Sequence, residues 1–395
     1  MRLRRFEHTV VLAIVIELSM VLGFGAFMLL PRWRLQAFAP FGRSDYQHVR
    51  EWSADGDALL TEGPPGFEVL AADGSVILGA HKGREQSVAW AGDRSLLVLE
   101  YADESTYRLF RVDIDDDHRQ MIGGPLAPGV LIADGRGGVA LRSRNPPVTT
   151  TILDPTDGHV VTELVGYRPV RWTNDGALIL GQPQPRLEGN DVASDRLFYW
   201  RPSAEPKPIG PDLLDVGVDA PVAPSGDVVA CVCVRDPTQS GVATSQIYQV
   251  PIDGSPGTIL APWNTSGSSG VEMAWLDESS LAVVDHDGFS LVSVSGGRRL
   301  VPGLASAEMG FAQTIGRVYP LRGGALAFMR DQTYDEGDSL IVVIDANGGI
   351  AMRRHWLAHD LTDIAVDQVH ERAVVSGDPQ FAFGPPTELF LLESK

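Results

Sequence analysis

The chain has 395 residues, 44% hydrophobic and 21% charged, enough for one large domain or two ordinary ones. Its net charge is −19, and residues 1–50 carry seven Arg against Glu7, Glu17 and Asp45, so the rest of the chain carries about −23. A body that acidic repels phosphate backbones and excludes nucleic acid as a partner, while two cysteines exclude both a disulfide scaffold and a Cys-rich zinc site.

The first element is an apolar run from Thr9 to Leu30, preceded by Arg2, Arg4 and Arg5 and interrupted by one charge, Glu17. Twenty-two residues at ~1.5 Å rise cross roughly 33 Å, the thickness of a bilayer core. Pro31 ends the run, and Trp33 stands between Arg32 and Arg34 as an interfacial anchor would. The alternative is a cleaved signal peptide using Ala37-Phe38-Ala39. The length of the run, the two Arg before that site and Pro40 after it favour an uncleaved signal anchor. The arginine distribution places residues 1–8 as a short cytoplasmic tail and the acidic domain outside the cytoplasm. Within the span, Glu17 is costly at membrane depth, and Ser19 and Gly23 form a small-xxx-small pair. Together they are candidates for packing against another membrane helix.

Residues 31–47 read as a linker, and from residue 48 the chain repeats. Trp52-Ser-Ala-Asp-Gly, Trp90-Ala-Gly-Asp, Trp172-Thr-Asn-Asp-Gly and Trp275-Leu-Asp each precede a short apolar strand. Weaker copies without Trp begin at Ile132, Val222, Pro320 and Val366. A second hairpin follows each copy, as in Leu109-Phe-Arg-Val112 and Ile247-Tyr-Gln-Val250. Two hairpins make four strands, and eight units of about 43 residues fill 48–395. That is the blade spacing of an all-β propeller with eight four-stranded blades; seven, with two weak units merged, is the alternative. The last unit stops at a third strand, Thr387 to Lys395, so residues 34–44 are expected to supply its outer strand and join the two ends of the ring.

The Trp-x-x-Asp-Gly segments and the hairpins after them resemble the WD40-like repeats of TolB-type propellers, and also the propellers of prolyl oligopeptidase relatives. The resemblance spans nearly all of 48–395. It implies the fold; such blades serve many functions.

Signatures of chemistry are sparse. There is no Gly-x-Ser-x-Gly, no Gly-x4-Gly-Lys-Ser/Thr and no His-Glu-x-x-His. Asp113, Asp115 and Asp117 begin like a calcium loop, but His118 and Gly124 stand where Gly and Glu are needed, so they read as a solvated turn. Cys231 and Cys233 lie two apart on one strand face, poor geometry for a mutual disulfide. His355 and His359 would share a face of a helical turn, and read as surface histidines of a loop. No metal and no cofactor is expected. The long connections join second to third strands and emerge on one face. There Arg142, Arg235, Asp236, Arg330 and Asp331 are the candidate binding residues. The expected function is a membrane-anchored, non-catalytic scaffold that binds another protein. The alternatives are an accessory subunit of a membrane complex, using Glu17, Ser19 and Gly23, and a hydrolase or lyase with axial carboxylates such as Asp236 and Asp331.

Overall fold

The computed structural model describes residues 33–37 and 48–394, apart from 64–65, 82–84, 93, 104–105, 184–194, 211–219, 236–243, 264–270, 312–313, 332–338, 357–358, 369 and 380–387. The proposed span, with Glu17, Ser19 and Gly23, lies outside the described residues. Among those described, no helix is long and apolar enough to cross a membrane.

The described strands form eight antiparallel sheets, seven of four strands and one of three. In chain order, sheets 1 to 7 lie within residues 48–81, 85–126, 129–165, 168–208, 222–263, 272–305 and 314–356. Sheet 8 combines residues 359–394 with Trp33–Ala37. In sheets 1–4, 6 and 7 spatial order equals chain order, the up-and-down meander of a propeller blade. Sheet 5 has three full strands. Its inner position is held by a bridge from Val222 to Val229, with Ala230 N–H donating to Pro221 O at 2.9 Å.

The second strand of a blade is buried on both faces, which explains the continuous apolar runs. In sheet 2, Leu96 and Val98 pack toward sheet 1, while Leu97 and Leu99 pack toward sheet 3. The side chains alternate as in any strand, but both directions are core. An outer strand such as Val160–Val165 in sheet 3 is instead exposed along most of its length. Eight apolar clusters lie between neighbouring sheets in succession, and one of them joins sheet 8 to sheet 1 through Ala365, Val374, Val49 and Trp52.

The four repeat tryptophans have a common role that their spacing alone does not reveal. Each lies at or within two residues of the end of an inner strand and donates its indole N–H to a backbone carbonyl on the inner segment of the preceding sheet. Trp52 reaches Ala365 O at 3.2 Å, Trp90 reaches Glu51 O at 3.2 Å, Trp172 reaches Ile132 O at 3.1 Å and Trp275 reaches Pro221 O at 3.0 Å. A large apolar ring with one donor suits this seam, because it fills the space between blades and satisfies a buried carbonyl. The aspartates beside them make the turns: Asp55 accepts the Asp57 N–H at 3.0 Å and Asp277 the Ser279 N–H at 2.7 Å.

The two chain ends meet in sheet 8. Trp33–Ala37 pairs antiparallel with Glu388–Ser394, from Trp33 opposite Ser394 to Ala37 opposite Phe390. This strand ends before Pro40, where a donor would be lost, and residues 38–47 lie outside the described set. The seam from sheet 8 to sheet 1 is tied again by Arg372. It donates to Gly56 O, holds Asp367 at 2.9 Å through Nε, and lies 4.4 Å over the Trp52 ring. Gly56 is required here: its φ is +76°, and a Cβ would stand 2.3 Å from Asp367 Oδ2.

Two faces follow from the antiparallel order. Turns between first and second strands, and between third and fourth, lie on one face, the turn face. Connections between second and third strands, and from one sheet to the next, lie on the other, the loop face. The single-turn helix Ser306–Met309, between sheets 6 and 7, is on the loop face.

Candidate functional site: the axial cavity

A cavity of about 850 Å³ lies on the axis, lined by the inner segments of sheets 1, 4, 5, 6, 7 and 8. Its wall includes Trp52, Trp172 and Trp275, the same residues that staple the blades. Asn174, Pro224 and Gln368 put its mouth at the turn face. The charged wall consists of Arg50, Arg171 and Arg317 with Glu51 and Glu272.

Local irregularity helps set these residues. In sheet 1 the pairing register slips between Val49 and Glu51, so Arg50 is the extra residue of a bulge. In sheet 4 it slips between Pro169 and Arg171. A bulge breaks strict alternation and re-aims the next side chain, here next to the axis. Arg50 also holds Glu62, with Nε 2.8 Å and Nη2 2.5 Å from Oε2.

Glu51 lies at the seam between sheets 1 and 2, where its Oε1 accepts the Trp90 backbone N–H at 3.3 Å. Desolvation pushes its carboxyl up to about 7, against the lowering effect of that hydrogen bond. Glu62 adds to the rise and Arg50 opposes it. Asp285, on the loop face of sheet 6, is fully buried and is raised to about 6, mainly by desolvation and in spite of its pair with Arg298. In the outer turn of sheet 3, Asp154, Asp157 and His159 bring their ligand atoms within 4.8 Å of one another. His159 is raised there by its 2.6 Å contact with Asp157.

The candidate residues on second strands lie elsewhere. Arg142 is opposite Thr150, Arg235 opposite Thr244 and Arg330 opposite Ser339, which puts them at corresponding loop-face positions of sheets 3, 5 and 7. Neither Arg142 nor Arg330 lines the axial cavity, because the second strand is one strand removed from the axis. Asp331 ends its strand opposite Thr314. Asp236 and the side chains of Arg235 and Asp331 lie outside the described residues. His355 and His359 do not share a helical turn: His355 lies in Ile350–Trp356 and His359 opens His359–Asp367, strands of two different sheets. Asp113 and Asp115 sit in an exposed turn, where Asp113 accepts the Asp115 N–H at 3.0 Å and Asp115 pairs with Arg94. Cys231 is buried.

No family model matches the chain, and no curated protein matches it either. Solved structures do. The C-terminal WD40 domain of Sif2 aligns over 91% of this chain and 98% of its own, with 11% identity and a TM-score of 0.51. A prolyl endopeptidase aligns over 79% of this chain with 11% identity and a TM-score of 0.50, and the match spans half of that longer protein. TolB of Agrobacterium tumefaciens aligns over 54% of this chain and 80% of its own, with 14% identity and a TM-score of 0.35. The protein has a β-propeller fold, similar to that of a WD40 domain. At such identities the likeness concerns the fold alone.

Proposed function

We propose that this protein is a membrane-anchored, extracytoplasmic scaffold, a closed ring of eight blades that binds another protein through its loop face and has no chemistry of its own. The pairing of Trp33–Ala37 with Glu388–Ser394 is the observation that carries this reading. A fourth strand starts on the turn face, so Trp33 stands there, two residues beyond the Pro31 that ends the apolar run. An anchor attached at that point holds the turn face toward the bilayer and presents the loop face outward. The inter-sheet clusters, including the one from sheet 8 to sheet 1, support a closed and rigid ring. Rigid rings of this kind display loops whose own sequences are free to vary, which suits recognition of a partner.

A photo-crosslinking amino acid placed in the membrane-embedded full chain tests the binding face. Asn145 and Ala307 are exposed on the loop face, and Ala204 and Asn347 on the turn face. The two loop-face positions are expected to trap the same protein, with the adduct competed away by excess purified chain. Adducts confined to Ala204 and Asn347, or none that competitor removes, would contradict the reading.

A further inference from the structure

The axis of this acidic body gathers three arginines. The chain beyond residue 50 holds about −23, yet three guanidinium groups line one cavity: Arg50 from sheet 1, Arg171 from sheet 4 and Arg317 from sheet 7. Spaced two or three sheets apart, they approach the axis from different sides. Arg171 and Arg317 are exposed although they lie on inner strands, and Arg50 shares its charge with Glu62. Two carboxyls, Glu51 and Glu272, complete the charged wall. A guanidinium offers a planar fork of donors that matches a carboxylate or a phosphate, and a cleft with low-dielectric walls concentrates the field of the groups inside it. The volume of about 850 Å³ falls in the range of small-molecule sites.

We infer that the axial cavity binds a small molecule carrying two or more carboxylate or phosphate groups. Arginines on three sheets allow one ligand to be held from several sides, so a single charged group makes only part of the contact. The indoles of Trp52 and Trp172 supply apolar wall beside them. Glu51 strengthens the inference: with its carboxyl raised to about 7, its opposing charge fades under mildly acidic conditions. The inference stands apart from the protein-binding reading, because it concerns the axis and that reading concerns the loop face.

Calorimetric titration of the full chain in detergent with citrate and, separately, pyrophosphate tests it. Saturable binding with a Kd below ~1 mM is expected for at least one of them. Arg171→Gln combined with Arg317→Gln is expected to weaken it by about tenfold or more, while Arg354→Gln, exposed on the outer strand of sheet 7, leaves it unchanged. Should the double variant fail to melt cooperatively, the two single variants are compared with Arg354→Gln instead. Absence of saturable heat from both anions with the wild-type chain, or an equal loss in Arg354→Gln, overturns the inference.

Discussion

Deleting residues 388–395 is expected to abolish the cooperative fold of the propeller, not merely to shorten its last blade. Glu388–Ser394 lies between two strands and pairs with both, Arg372–Pro379 on one side and Trp33–Ala37 on the other. Among the described residues, Trp33–Ala37 has no other strand partner. The deletion also removes Leu392, fully buried in the cluster of Ile341, Val343, Ala373 and Val375 between sheets 7 and 8. Loss of one such side chain costs about 2–5 kcal/mol, comparable to a large part of the ~5–15 kcal/mol that stabilises a typical domain. Sheet 8 also holds sheet 1 through Arg372 and Ala365 O, so the damage passes across the seam. Limited proteolysis and a melting curve check this. Leu392→Ala alone should lower the melting temperature while keeping a single transition. A deletion product that melts like the full chain would show that the ring is closed by other residues.

Glu51→Gln is expected to stabilise the protein at pH 8 and to flatten its stability profile between pH 5 and 8. The folded-state carboxyl sits at about 7, above its ordinary value of 4.5. Folding therefore favours the protonated form. The associated stability is full below pH ~4.5 and is lost as pH rises through about 7, where the folded state must ionise a desolvated carboxyl. A shift of that size corresponds to at most about 3 kcal/mol, or roughly 4 °C for a domain of this length. Glutamine has nearly the same shape, and its amide oxygen can still accept the Trp90 N–H. Melting curves from pH 5 to pH 8 on both proteins give the comparison. A wild-type melting temperature that stays level across that range, or a variant less stable at pH 8, would refute the assignment.

The sequence and the structure agree where a side chain has a fixed relation to the blade. Trp52, Trp90, Trp172 and Trp275 mark inner strands because an indole at that point both fills a seam and bonds the previous sheet. Sheet 7 has Tyr319 and Pro320 in that region, and among the described residues sheet 5 has a bridge at Val222 there, so their copies read weakly. The joining of the ends was legible from an incomplete last unit. Its bounds were not, since the strand is Trp33–Ala37 and stops before Pro40. The axial arginines are not legible in the sequence, for a physical reason. Arg50 precedes Trp52 by two residues and Arg171 precedes Trp172 by one, and bulges in both strands remove a constant offset from the marker. Arg142, Arg235 and Arg330 were recognisable as equivalent from their place at strand ends. Their distance from the axis depends on how the sheets stack, which spacing along the chain does not encode.

Single cysteines at Asn145, Ala307, Ala204 and Asn347, in a full-length background lacking Cys231 and Cys233, give the most direct test of an anchored ring with its loop face outward. The protein is labelled in membranes with an impermeant fluorescent maleimide applied from the extracytoplasmic side, and quenching by a lipid-attached probe is then measured. All four cysteines are expected to label, with quenching strong at Ala204 and Asn347 and weak at Asn145 and Ala307. Stronger quenching at Asn145 and Ala307, or no quenching at any of the four, would contradict the account.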